Sequence, residues 1–163
     1  MPPENRTDPN VIIYTDGAAR GNPGPGGFGI VMLSGNYRKE LSEGFIHTTN
    51  NRMELMAVIV ALEALKFLGS NVTVYTDSKY VVDSVEKRWI FGWEKVAFKK
   101  KKNPDLWIRF LKVYRQHIVK FIWIKGHAAN KENERCDTLA VRASMGSNLK
   151  IDQGYFQKNE ENE

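Results

Sequence analysis

Two short segments of this 163-residue chain repeat each other, Tyr14-Thr15-Asp16-Gly17 and Tyr75-Thr76-Asp77-Ser78. Each follows an apolar, β-branched run, so each aspartate closes a strand. A helical crossover between parallel strands lets the two lie side by side, and neighbouring strands sit ~4.8 Å apart. Both carboxylates then emerge together at the carboxyl edge of a sheet, where open α/β sheets take their ligands. Like charges at that distance keep one group protonated unless a cation neutralises the pair. Oxygen donors without histidine or cysteine partners select a hard ion, Mg²⁺ or Mn²⁺. The plainer alternative is that Asp16 caps a turn and Asp77 caps the following helix.

Further acids stand in unusual surroundings. Glu54 lies among Met53, Leu55 and Met56, in the first turns of the most apolar helix. Asn51 three residues before it has capping-box spacing. Ahead of it, Thr48, Thr49, Asn50 and Asn51 could offer hydroxyl and amide groups to sugars and phosphates. Towards the end, Lys125-Gly126-His127-Ala128-Ala129-Asn130 reads as a loop, with Glu132, Glu134 and Asp137 on the helix after it. Glu134 and Asp137 share a face, and spacing does not choose between them. Lys95 and Lys99 to Lys102 form a cluster uninterrupted by acid, flanked by Lys87, Arg88, Trp89 and Trp93. Such a run is either solvated surface or a grip on a polyanion. Trp89 and Phe98 would pack along sugars or hold the segment to the body.

The elements that position these residues follow from periodicity. Val11 to Thr15 reads as a strand ending at a turn, and the five glycines and two prolines between Gly21 and Gly29 as a tight connection. Phe28–Leu33 and Lys39–Ile46 are two further strands, and their short links make the three an antiparallel meander. Residues 51–68 have helical periodicity with a thin polar face, stopped by Gly69. Val72–Thr76 is the fourth strand, Ser78–Arg88 and Asp105–His117 are helices, Ile118–Ile124 is the fifth strand, and Asn130–Met145 is a last amphipathic helix. Three strands followed by α/β alternation predict a mixed sheet with helices on its faces.

Composition bounds the class. Hydrophobic residues make up 42% and aromatics 11%, enough for one packed domain and too much for a disordered chain. Lys and Arg exceed Asp and Glu by 24 to 19, a net +5 that suits a polyanionic partner. The single cysteine, Cys136, excludes a disulfide framework and a cysteine-built metal site. No apolar stretch is long enough to span a membrane, and the first residues lack a signal-peptide layout. The expectation is a cytoplasmic monomer with residues 11–156 as one catalytic domain between tails, 1–10 and 157–163.

Asp16 in Tyr-Thr-Asp-Gly, Glu54 in Asn-Asn-Arg-Met-Glu-Leu, Asp77 in Tyr-Thr-Asp-Ser, His127 in Lys-Gly-His-Ala and Asp137 in Asn-Glu-Arg-Cys-Asp follow one another in a familiar order. With them the chain resembles ribonuclease H of type 1, the cellular bacterial form, from about Val11 to Tyr155. The resemblance implies an α/β fold with a five-stranded mixed sheet ordered 3-2-1-4-5 and flanked by helices. It implies an endonuclease that hydrolyses the RNA strand of RNA–DNA hybrids with two divalent ions, Mg²⁺ or Mn²⁺ in its place, leaving 5′-phosphate and 3′-hydroxyl ends. Asp16, Glu54, Asp77 and Asp137 would be the metal ligands, and His127 would assist proton transfer or product departure. Asn22, Asn50 and Asn51 match positions that contact the hybrid near the scissile RNA, and Thr49 and Asn103 match positions that grip a DNA-strand phosphate. Lys79 stands where some relatives carry glutamine, which suggests a charge contact. Trp89, Lys99, Lys100, Lys101 and Lys102 belong to a basic handle, shorter here than in the family's longest versions. A replication or repair partner is left open. A hybrid-binding module without turnover is the competing class, and the four intact carboxylates argue against it.

Overall fold

The computed structural model describes residues 10–126 and 130–155. Ten elements follow in order: β1 (Asn10–Ala19), β2 (Gly24–Ser34), β3 (Tyr37–Thr48), α1 (Asn50–Glu63), β4 (Asn71–Thr76), α2 (Lys79–Glu86), α3 (Trp89–Lys95), α4 (Pro104–Tyr114), β5 (Ile118–Trp123) and α5 (Lys131–Ser144). The strands form one sheet in the order β3-β2-β1-β4-β5. β1–β2 and β2–β3 pair antiparallel, and β1–β4 and β4–β5 pair parallel, so the mixed sheet and its expected order are present. Packing places α1 on one face of the central strands and α5 on the other, with α4 outside α1.

β1 does not stop at Asp16-Gly17. It continues to Ala19 because the glycine-rich segment, expected to be a connection, is itself strand: Asp16 pairs with Gly29, Gly17 with Phe28 and Ala19 with Gly26. These glycines make room more than they turn the chain. A Cβ on Gly29 would lie 2.2 Å from the Cys136 carbonyl oxygen of α5, and one on Gly17 would lie 2.4 Å from the Met53 carbonyl carbon of α1. No side chain fits at such separations, so Gly17 lets α1, and Gly29 lets α5, sit close against the sheet. At the other end, Asn10 was expected in the tail but pairs with Asn71 as the first residue of β1.

α1 is almost wholly buried, as its thin polar face requires. Its cap is Thr49, not Asn51: the Thr49 hydroxyl accepts from the Arg52 N–H at 3.3 Å. The helix ends at Glu63, well short of Leu68. Phe67 and Leu68 extend the apolar pattern but are 46% and 76% exposed. There the chain reverses into parallel β4, through Gly69 at φ +73°, whose N–H donates to the Gln116 carbonyl at 2.8 Å. The helix expected over Ser78–Arg88 is present as α2, and beyond it a further short helix not expected from sequence, α3, starts at Trp89 after Arg88 adopts a left-handed conformation (φ 64°).

A buried cation sits in the core. Arg52 is 2% exposed and holds Asp152 and Asp105, each at 2.7 Å. It thereby ties the segment after α5 to α1 and α4. On the far side, the Glu86 carboxylate at the end of α2 accepts from the Phe121 N–H of edge strand β5 at 3.2 Å. That bond fixes α2 to β5 and occupies a backbone donor that an edge strand would otherwise present.

Candidate active site

The parallel pairing of β1 with β4 sets the site. Tyr14 and Tyr75 are register partners, and their rings stack with centroids 5.0 Å apart. Asp16 lies two residues further along β1, and Asp77 is the first residue past the end of β4 at Thr76. Glu54 arrives from the opposite side on α1, across the close approach that Gly17 permits. The Gly17 N–H lies between the two acids, 3.0 Å from Asp16 Oδ1 and 3.3 Å from Glu54 Oε1. One carboxylate oxygen from each of Asp16, Glu54 and Asp77 lies within 4.8 Å of the others. Asp137 of α5 lines the same cavity of ≈ 420 Å³, together with Glu134, Asn50, Asn51 and Lys79.

This arrangement is electrostatically costly without a counter-ion. Burial, then the charge of Asp77 and that of Asp137, push the Asp16 carboxyl from its ordinary 3.8 up to about 7. Burial, followed by the charges of Asp16 and Asp77, raises the Glu54 carboxyl well above the usual range. Among the described residues no lysine or arginine forms an ion pair with Asp16 or Glu54. Two buried acids crowded by a third, all offering oxygen, fit a hard divalent cation that takes carboxylates and keeps some water. Capping alone does not account for Glu54, which is 9% exposed and turned to the Gly17 N–H.

The other expected residues fall into three groups. Asn50, Asn51 and Lys79 reach the cavity. Asn22 and Asn50 first brace the backbone: Asn22 Oδ1 accepts from the Asn50 N–H at 2.9 Å, and Asn50 Oδ1 from the Ala19 N–H at 2.6 Å. Thr49 caps α1, and Asn103 caps α4 at φ 60°, its amide donating to the Tyr80 hydroxyl at 3.1 Å. Lys99, Lys100, Lys101 and Lys102 are exposed on the turn after α3. Of the two aromatics, Trp89 is 46% exposed under the Lys87 ammonium, whereas Phe98 is buried and anchors the segment. Thr48, expected among the polar donors, is fully buried and donates to Asp152 at 2.7 Å. His127 lies outside the described residues. The chain leading to it passes tightly by the site, for a Cβ on Gly126 would be 3.0 Å from Asp77 Oδ2.

Three residues at or near the site were not singled out from sequence. Thr76 Oγ1 is 3.5 Å from Glu54 Oε2 and accepts from the Ser78 N–H at 3.1 Å. The Tyr80 hydroxyl also accepts from the Trp107 indole at 2.8 Å. Trp123 ends β5 beside β4, and its indole N–H donates to the Asp77 carbonyl at 3.1 Å. Its position was the available signal, since it closes a parallel strand as Asp77 closes its neighbour.

A mixed five-stranded sheet with carboxylates gathered where β1 meets its parallel neighbour β4 defines an α/β protein whose acids could hold a hard cation. Comparison with known proteins narrows the class. The RNase H family profile matches residues 8–145. A protein named Ribonuclease H from Rippkaea orientalis is 53% identical over 159 residues, covering 94% of this chain and 97% of that one. A Ribonuclease H from Syntrophus aciditrophicus is 54% identical over 150 residues, covering 89% and 86%. Among solved structures, LC9-RNase H1, described as a type 1 RNase H with the type 2 active-site motif, superposes with TM-score 0.78 at 32% identity over 92% of this chain and 80% of that one. LC11-RNase H1, solved in complex with an RNA/DNA hybrid, gives TM-score 0.64 at 31% identity over 83% and 96%. The chain belongs to the RNase H family.

Proposed function

We propose that this chain hydrolyses the RNA strand of RNA–DNA hybrids, as an endonuclease, in the cavity where Asp16, Glu54, Asp77 and Asp137 converge. The observation that carries the reading is the trio of carboxylate oxygens within 4.8 Å, two of them on buried side chains. Asp16, Glu54, Asp77 and Asp137 would hold divalent ions, Mg²⁺ or Mn²⁺ in its place, two of them once substrate is bound. When bound, such ions lower the pKa of water and stabilise charge on the leaving oxygen of an in-line displacement.

The chain's own groups supply the rest. Asp16 and Glu54 sit where burial makes their charge most effective, and a bound cation would favour their ionised forms, the displaced proton passing to solvent water. The attacking water forms a bond to phosphorus as the bond to O3′ breaks, so the products carry a 5′-phosphate and a 3′-hydroxyl. His127 is assigned the proton transfer. Asn50 and Asn51, on the cavity wall, have amides that can both donate to and accept from a ribose 2′-hydroxyl, the group that separates RNA from DNA. Asn22 works beside them. Thr49 and Asn103, both braced through Arg52, are suited to a phosphate of the DNA strand. The exposed Lys99–Lys102 turn and Trp89 would meet the duplex further out, through sequence-independent contacts.

The deciding assay compares cleavage of hybrid, duplex RNA and duplex DNA of one sequence, with and without chelator. RNA-strand cleavage of the hybrid alone, abolished by chelator, is expected. Equal cleavage of duplex DNA, or hybrid cleavage that survives chelator, would overturn the proposal.

A further inference from the structure

The rim of the cavity carries a lysine whose side chain is held in place. Lys79 is the first residue of α2 and is exposed to solvent at the cavity edge. Its ammonium stands 4.7 Å from the centroid of the Trp123 ring, within the range of a cation–π contact. The indole is fixed in turn, because its N–H donates to the Asp77 carbonyl at 3.1 Å. Next to it, the Ile124 N–H donates to the Thr76 carbonyl at 2.9 Å and keeps the end of β5 against β4. The far end of α2 is tied to the same strand through Glu86 and Phe121. The ammonium therefore rides on the frame of β4, β5 and α2 that also carries Asp77.

We propose that Trp123 is a positioning residue that holds the Lys79 ammonium for a phosphate of the RNA strand next to the scissile one. The inference rests on the hybrid-cleaving reading and specifies how the substrate is gripped beside the acids. Three features support it. A lysine stem is long and mobile, so an unsupported ammonium spends little time in any one place; an aromatic platform removes that freedom before substrate arrives. A π face attracts the cation without neutralising it, so the full charge remains for an incoming anion. The scissile phosphate itself is destined for the carboxylates and their cations, so the anion left for the rim is a neighbouring phosphate on the same strand. Trp123 is 42% exposed at the end of an edge strand, an unusual place for a large aromatic that serves packing alone.

The test is a mutant cycle with two readouts. Lys79→Gln should weaken equilibrium binding of a short RNA–DNA hybrid, measured by anisotropy in chelator, about three- to tenfold. It should also lower the slope of log affinity against log salt by about 0.7–0.9, the share of one phosphate contact. Trp123→Leu should raise KM for the hybrid about two- to fivefold with kcat held within twofold, and Trp123→Phe, which keeps an aromatic face, should restore KM. In a Lys79→Gln background Trp123→Leu should add almost nothing, because the two act as one unit. A wild-type salt slope in Lys79→Gln overturns the phosphate contact. A Trp123→Leu effect of the same size with and without Lys79 overturns the positioning role, and a purely structural tryptophan would produce that result together with a lowered melting temperature in both backgrounds. Failure of the hybrid-cleaving reading would appear separately, as wild-type protein that does not cut hybrid, and the binding slopes would still decide the contact.

Discussion

Removing one charge from the acidic cage should make the metal-free protein more stable. Asp16 is 8% exposed, and burial with the charges of Asp77 and Asp137 moves its carboxyl from 3.8 in the unfolded chain to about 7 in the fold. Between those values the folded state binds more protons than the unfolded one, so stability falls as pH rises. The contribution of this group is fully present below about pH 4, drains away across pH 4 to 7, and is gone above the folded value. At ~1.4 kcal/mol per pH unit, an interval of about three units sets a ceiling of about 4 kcal/mol. Glu54 and Asp16 share protons, so relief at one is partly taken up by the other, and about 1–3 kcal/mol is the expected gain for Asp16→Asn at pH 8. For a chain of this length that is roughly 3–10 °C in melting temperature. The assay is thermal or urea denaturation of both proteins in chelator at pH 8 and pH 5. Asp16→Asn should be the more stable at pH 8, with a smaller advantage at pH 5, where the wild-type carboxyl is already protonated. Added Mg²⁺ should stabilise the wild type far more than the variant, by linkage to a site only the wild type retains. Equal stability at pH 8, or the same increment at both pH values, would refute the electrostatic account of the cage.

Other perturbations probe the surroundings. Replacing Lys99, Lys100, Lys101 and Lys102 by alanine should weaken hybrid binding and flatten its salt dependence with little loss of maximal rate, and a salt titration of hybrid affinity checks this. Arg52→Ala strands Asp152, which is 3% exposed, without its partner, and should cost about 3–5 kcal/mol in urea denaturation. His127→Ala should slow single-turnover cleavage more than it weakens hybrid binding; an unaltered rate would make the imidazole a bystander.

Much of the architecture was legible before folding. Apolar runs announced β1, β2, β4 and β5, because burial on a sheet demands them, and the short turn at 34–36 placed the more polar β3 beside them as the last strand of the meander before the α/β units. Where local signals failed, long-range packing was responsible. The glycines of 24–29 have the composition of a turn, yet they belong to β2, where Gly27 and Gly29 supply the absence of a side chain under α5. Phe67 and Leu68 continue the helical pattern of α1 but stand exposed, since the reversal into β4 overrides periodicity. The extra helix α3 was not legible, because it starts after Arg88 adopts a left-handed backbone conformation that its residue type does not announce.

The site divides in the same way. Matched strand ends single out Asp16 and Asp77 as a pair, whereas Glu54 and Asp137 are assigned by the family resemblance, since a capping box also explains Glu54 and spacing does not separate Asp137 from Glu134. Their convergence was not contained in the order. It depends on the parallel register that levels Tyr14 with Tyr75, and on Gly17, which brings α1 close enough for Glu54 to share a backbone N–H with Asp16. The proton retained near neutral pH, the Arg52 ties to Asp105 and Asp152, and the Lys79–Trp123 pair likewise exist only in the folded chain. Charge and polarity are properties of single residues, but burial, repulsion and alignment belong to pairs brought together from distant positions, and those pairs are made by tertiary packing.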